Sequence, residues 1–360
     1  MRPKSGARGK VWYYLDKGPQ PDGTRPWIPL GSDFPDALRK YAELVQTVRG
    51  PSVTVAELLD RWHTETAAGR KSGTLIDITT SLPHLKTFFD GAPLEQLQPV
   101  HISQYLAWRA KEAVAKKLAD NVERIDAGKG PLAVTGNEGR ARANREISWL
   151  SAAWNWARSN GATSEQNPTE GVKRHREPGR SMYIEDEEMA AILEHADEPL
   201  REAIELAYLI GQRPGDLRGI NETDIRNGAI EIEQDKTGAR LRIEIVGDLA
   251  ALIDRIKFRK ASIPGVRSLS LICNERGEAM GQSAMRYRFE KAREAAAAAA
   301  ASNKPAADRL RSIQFRDLRA KAGSDSAGLE HAQKLLGHTK RDMTEHYIRK
   351  RRGDKVRPVK

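Results

Sequence analysis

Cysteine is almost absent: Cys273 is the single one in 360 residues. That excludes an internal disulfide framework and any cluster of thiolate metal ligands. Uninterrupted apolar runs are absent too, and no stretch approaches the length of a membrane-crossing helix. The start, Met1-Arg2-Pro3-Lys4, is basic, but no apolar signal core follows it. These absences point to a reducing cytoplasm and no membrane partner. Negative charge is the scarcer sign, with 49 Asp and Glu against 60 Lys and Arg, a formal net charge of +11 and a pI near 9.6. An excess of this size favours a polyanionic partner, although charge alone also suits a basic protein that binds nothing in particular.

The length suffices for two or three domains, each with its own core. Val11-Trp12-Tyr13-Tyr14-Leu15 and Trp27-Ile28-Pro29-Leu30 read as short strands around a Gly/Pro/Asp-rich loop, Lys17 to Thr24. A helix from about Pro35 to Thr47 follows, with Ala37, Leu38, Tyr41, Leu44 and Val45 on one face. Residues 1–50 thus form a small sheet-plus-helix module with Arg49-Gly50-Pro51-Ser52 as its exit.

Residues 53–162 read as helical. Thr54-x-x-Glu57 is a capping box ahead of the stripe Val55, Leu58, Leu59 and Trp62. Further helices are expected over about Ser72–Phe89, with Pro83 as a kink or break, Pro99–Asn121 and Ala143–Asn160. Ile147, Leu150, Trp154 and Ala157 share a face of the last, and Trp149, Trp154 and Trp156 read as packing between helices. Ile125 to Gly139 reads as a polar loop. Residues 163–182 form a basic linker whose Lys173, Arg174, Arg176 and Arg180 are candidates to lie along a phosphate backbone.

Residues 183–360 read as mixed. Helices near Asp186–Ala196 and Pro199–Ile210 precede a hairpin of Ala229–Glu233 and Leu241–Ile245, then a helix near Asp248–Lys260 and a strand near Leu269–Cys273. The alanine run Ala295 to Ala301 sits in a strong helix, Ser283 to about Ser302, and reads as packing or spacer. A basic tail, Arg349 to Lys360, ends the chain.

Four stretches in this last part carry chemistry. Gly211-Gln212-Arg213-Pro214-Gly215-Asp216-Leu217 presents an arginine after a helix. Asp235-Lys236-Thr237-Gly238 sets a lysine at a hairpin tip. Phe315-Arg316-Asp317-Leu318-Arg319 sets two arginines three apart, on one side of a helix. Leu336-Gly337-His338 is a helix end and glycine corner, with Thr344-x-x-Tyr347 on the next helix. Each alone reads as a turn, a solvated lysine, a surface face and a structural corner. Their order and spacing together are much harder to obtain by chance.

In that order they resemble the tyrosine recombinase (phage integrase) family. The family's Gly-x-Arg-x-x-Glu/Asp-Leu matches Arg213, Asp216 and Leu217, its hairpin lysine Lys236, its His-x-x-Arg box Arg316 and Arg319, its Leu-Gly-His box His338, and its Thr-x-x-Tyr Tyr347. The resemblance implies a multidomain, mainly α chain with small β elements. Its parts would be an arm-site DNA-binding module over 1–50, a helical core-binding domain over 53–162 and a catalytic domain over 183–360. It implies a site-specific recombinase of a prophage or other mobile element, cleaving and rejoining double-stranded DNA through a 3′-phosphotyrosyl link. It would act as a homotetramer on its attachment sites, with accessory DNA-bending or directionality proteins.

The residues suit that chemistry, which calls for no cofactor and no metal. Arg213 and Arg319 would stabilise charge on the nonbridging phosphate oxygens, and His338 would add a hydrogen bond. Tyr347 would be the nucleophile and Lys236 the general acid on the departing 5′ oxygen. One position departs from the pattern: Arg316 stands where the family has histidine, and a guanidinium accepts no proton near neutral pH. The Tyr347 proton would then go to His338 or water. Two other readings use the same residues. A non-catalytic, integrase-like DNA-binding protein is favoured by Arg316, and a type IB topoisomerase-like enzyme shares the chemistry but not the arm-like N-terminal module.

Overall fold

A computed structural model describes residues 1–5, 11–18, 24–46, 53–177 and 179–348. The expected exit Arg49 to Ser52, most of the loop between Lys17 and Thr24, and the basic tail lie outside these residues. The chain divides into two compact units, Met1–Pro178 and Gly179–Lys360.

The first unit begins with an antiparallel sheet, β1 (Arg2–Ser5), β2 (Val11–Asp16) and β3 (Trp27–Gly31), in that order. The strand β1 had no alternating pattern to betray it; it exists by pairing, Arg2 opposite Tyr14 and Ser5 opposite Val11. Tyr13, Leu15 and Leu30 turn inward onto α1 (Phe34–Gln46), which buries Phe34, Ala37, Leu38 and Tyr41. Leu44, expected on that face, is 42% exposed.

The helices α2 (Val55–Thr66), α3 (Ser72–Phe88), α4 (Pro99–Asp126) and α5 (Arg140–Ser159) make the bundle. The expected capping box closes the start of α2, where the Thr54 hydroxyl accepts from Glu57 N and the Glu57 carboxylate accepts from Thr54 N. Val55, Leu58, Leu59 and Trp62 are all buried, each contributing on the order of 1.5–3 kcal/mol of apolar transfer. α3 runs through Pro83 without breaking. α4 extends to Asp126, beyond the expected end at Asn121, and the Asn121 amide clamps the returning loop by pairing both backbone groups of Leu132. Trp154 is fully buried, whereas Trp149 and Trp156 pack at the edge.

The N-terminal module shares one core with this bundle. Phe34 stacks on His101 at 4.2 Å between ring centroids and meets Phe88 at 5.5 Å. Gln104 hydrogen-bonds the Tyr13 hydroxyl.

The second unit packs α6 (Asp186–Glu194), α7 (Glu198–Ile210), α8 (Pro214–Gly219), α9 (Gly247–Ser262), α10 (Gln282–Ala299), α11 (Lys304–Ser312), α12 (Asp317–Asp325), α13 (Leu329–Leu336) and α14 (Arg341–Tyr347) with a three-stranded antiparallel sheet. The sheet order is β4 (Ile225–Arg226), β5 (Ala229–Glu233), β6 (Arg240–Glu244). The expected strand at Leu269–Cys273 is instead a loop with single bridges, Asn221 to Ser270 and Cys273 to Ala279. The alanine run packs, with Ala296 and Ala297 buried. Leu200, Ala203, Ile204, Leu206, Ala207 and Ile210 make α7 the buried axis of this unit. No described helix is long and apolar enough to cross a membrane.

Candidate active site

The end of α7 starts the site. Gly211 follows in the left-handed region (φ +62°), where an added Cβ would meet Leu336 Cδ2 at 3.1 Å and Ala322 Cβ at 3.3 Å. Glycine is needed there for conformation and for room. Two residues on, Arg213 is held extended ahead of Pro214, as a residue before proline prefers. Its Nη1 donates to Gln234 Oε1 at 2.8 Å and lies 3.6 Å from the buried carboxylate of Asp216.

Arg319 enters from α12, whose start is fixed by Arg180 forking the buried Asp317 carboxylate and donating to Ser312 O at 2.7 Å. Arg319 is 2% exposed. Its Nη1 donates to Gly211 O at 2.7 Å, and its Nη2 to Leu336 O at 2.7 Å and to His338 Nε2 at 3.0 Å. Its Nε is a buried donor with no partner among the described residues. Burial and the neighbouring Arg213 pull its pKa down to about 10, with Tyr347 and Asp216 acting the other way; it stays charged at neutral pH.

The opposite wall is the corner after α13. Gly337 is left-handed (φ +65°) and leaves space for the Gln234 amide, whose Nε2 would lie 2.8 Å from any Cβ. Because His338 Nε2 accepts from Arg319, the ring proton sits on Nδ1, which donates to Thr344 Oγ1 at 3.1 Å. Burial, then Arg319 and Arg213, push the His338 pKa down to about 4, so the imidazole is neutral. Neither ring nitrogen is left to donate to a phosphate in this arrangement. Tyr347 closes α14, its ring 5.4 Å from the Arg319 guanidinium carbon and 5.1 Å from the His338 ring.

Arg213, Arg319, His338 and Tyr347 therefore converge. Lys236 stands at the exposed hairpin tip and Arg316 at the exposed start of α12, each without a hydrogen bond or ion pair among the described residues. The linker cations divide. Lys173 and Arg176 are exposed. Arg174 is tied to Asn144 O and Ser148 Oγ, and Arg180 to Asp317, so these two hold protein to protein.

Sequence reasoning missed the buried glutamines Gln212 and Gln234. Gln234 had left a signal: it continues the inward parity of Ile230 and Ile232 along β5. Gln212 left none beyond its place beside Arg213.

Residues 182–353 match the Phage integrase family. The chain is 32% identical over 201 residues to the integrase of Escherichia phage HK022, covering 53% of this chain and 54%, about half, of that protein. It is 29% identical over 312 residues to the integrase of Enterobacteria phage 434, covering 85% of this chain and 79% of the relative. In structure it is similar to a lambda integrase dimer bound to a COC′ core site, with a TM-score of 0.63 and 22% identity over 99% of this chain and 97% of that one. It is also similar to the Tn1549 transposon integrase in complex with transposon right end DNA, with a TM-score of 0.59 and 15% identity over 82% and 94%. These last two likenesses are of fold, a mainly helical multidomain chain with small sheets. The family match covers the segment that holds Arg213, Lys236, Arg319, His338 and Tyr347, so it is this segment, residues 182–353, that the phage integrase likeness identifies.

Proposed function

We propose that this chain is a site-specific DNA recombinase that integrates or excises a prophage or other mobile element. The observation that carries this reading is Tyr347 lying against Arg319 with Arg213 alongside: a nucleophile beside two fixed cations. The Tyr347 oxygen attacks phosphorus, a P–O bond to tyrosine forms, and the P–O5′ bond breaks. The 5′ oxygen takes a proton from Lys236, and the 3′-phosphotyrosyl link keeps the bond energy for rejoining. Arg213 and Arg319 bind the nonbridging oxygens, and Arg319 Nε, which has no partner among the described residues, is a further donor for them. His338 acts on the phosphate through Arg319, which it orients by accepting from Nη2. The phenolic proton passes to water, because Arg316 has no basic lone pair and that of His338 is occupied.

Residues 1–50 serve as arm-site module, 53–162 as core-binding domain, 163–182 as linker and 183–360 as catalytic domain, working in the cytoplasm. Lys173 and Arg176 are the linker cations available to phosphate. Lambda integrase has been solved as a dimer on a core site and as a tetramer on a Holliday junction, which supports a homotetramer on DNA here. Accessory DNA-bending or directionality proteins fit the same scheme.

The test is a nicked suicide duplex carrying the chain's own attachment site. Wild type forms a covalent protein–DNA adduct and Tyr347→Phe forms none. A wild type that shifts the DNA in a salt-dependent way without any adduct is a pure binder, and the recombinase reading fails. Plasmid relaxation without synapsis would mark a topoisomerase instead.

A further inference from the structure

Gln234 is fully buried and uses every hydrogen-bonding position of its amide. Its Oε1 accepts from Arg213 Nη1 and from Thr237 Oγ1, both at 2.8 Å. Its Nε2 donates to Gln212 Oε1 at 2.8 Å and to Leu336 O at 3.0 Å. Gln212 in turn donates to Ile210 O at 2.8 Å and Leu335 O at 2.9 Å, joining the same two helix ends. The Gln234 main chain closes the loop that carries Lys236: its N–H donates to Ala239 O at 2.9 Å and its carbonyl accepts from Gly238 N at 2.8 Å. Leu336 O also accepts from Arg319, so one polar chain runs Arg213–Gln234–Leu336 O–Arg319.

Arg213 is near enough to Arg319 to lower its pKa, so the two guanidiniums repel, and something must hold them before substrate arrives. Asp216 already lies 3.6 Å from Arg213, and a second carboxylate at 234 would cancel the charge that a phosphate needs. A neutral amide orients the guanidinium and leaves its charge intact.

We propose that Gln234 is a positioning residue for strand cleavage. It aims Arg213 without neutralising it, and it ties the Lys236 loop to the Leu336–His338 corner so that arginine, lysine and corner assemble as one body. The proposal rests on the recombinase reading, with Gln234 acting through Arg213 and touching no reacting atom.

Three chains of the same length test it: wild type, Gln234→Glu, which keeps the acceptor for Arg213, and Gln234→Met, which keeps the volume alone. Single-turnover adduct formation at saturating protein should fall about 100-fold in Gln234→Glu at neutral pH, the scale of losing one preorganised cation. The loss should shrink as pH is lowered and the new carboxylate takes a proton, a response a packing defect does not give. Gln234→Met should lose about 10-fold or more, by the worth of a buried hydrogen bond. DNA affinity should stay within about 3-fold in both, since each phosphate contact is one among many. Amide exchange in Gln234→Met should quicken together at Thr237–Ala239 and at Gly337–His338, whether or not wild type cleaves DNA. Cleavage within about 2-fold of wild type in both variants overturns the positioning role. Unchanged exchange overturns the tie, and cleavage lost only in step with DNA affinity reduces Gln234 to structure. A wild type without adduct sinks the recombinase reading, and the exchange result then decides the tie alone.

Discussion

The Thr344 hydroxyl lies 3.1 Å from His338 Nδ1 and accepts its hydrogen bond, three residues before Tyr347, the proposed nucleophile. The contact fixes the tautomer in which Nε2 offers Arg319 its lone pair. Thr344→Val keeps the shape and removes the acceptor, leaving a buried Nδ1–H unmatched. Single-turnover cleavage should drop about 10-fold, the equivalent of roughly 1.4 kcal/mol for an unsatisfied buried donor, with DNA affinity unchanged. Thr344→Ser should retain most of the activity; equal loss in both would deny the hydroxyl its role.

The linker arginines separate by what they touch. Arg180→Ala strips the buried Asp317 carboxylate of its cation and should destabilise the Gly179–Lys360 unit by about 3–5 kcal/mol in chemical denaturation. Lys173→Ala and Arg176→Ala should leave stability alone, weaken DNA binding across sequences and each lower the salt slope by about 1.

Gly337→Ala meets two costs at once, a left-handed backbone at φ +65° and a Cβ 2.8 Å from Gln234 Nε2. The backbone term alone is about 1–2 kcal/mol. Cleavage should fall further than thermal stability explains, because the amide displaced is the one that holds Arg213. Proportional loss of the two would show the corner to be structural only.

Burial, then Arg319 and Arg213, hold the His338 pKa at about 4 against an ordinary 6.5. Between those values the unfolded chain binds more protons here than the folded one. The site's contribution to stability is therefore full above the upper value and is lost as pH falls toward the lower. His101, lowered to about 4 by burial, acts in the same window and with the same sign. The melting temperature of His338→Gln should fall less steeply over that window than that of wild type, with the remaining slope due to His101 and other groups.

Arg316 is exposed and starts α12 without a partner among the described residues. Arg316→His should keep the fold and raise adduct formation at pH 7 by about 10-fold or more, since a positioned base is worth about 10²–10⁴. An abolished reaction would instead identify Arg316 as a cation the chemistry requires.

Local chemistry made much of this molecule legible in its sequence. The capping box at Thr54 and Glu57, the glycine corners at 211 and 337 and the hairpin over 229–244 each depend on residues within a few positions of one another. What depended on distant partners was not legible. β1 is a strand only because β2 offers it an edge, and the isolated bridges near Ser270 lack a neighbour long enough to extend them. Arg180 and Arg174 read as free cations because Asp317 and Asn144 are 137 and 30 residues away. Gln234 lay between the two expected hairpin strands, where a buried amide and a solvated one look alike until their partners are known.

Gly211 and Leu336 hold Arg319 by main-chain oxygen, which every amino acid carries. Beyond the glycine that position 211 requires, drift in neighbouring side chains can leave the acceptors where they are, provided the two helix ends keep their paths. A single inserted residue in either corner would remove an acceptor while altering no chemical group. Over evolutionary time, the length of these corners constrains the site alongside the glycines that turn them.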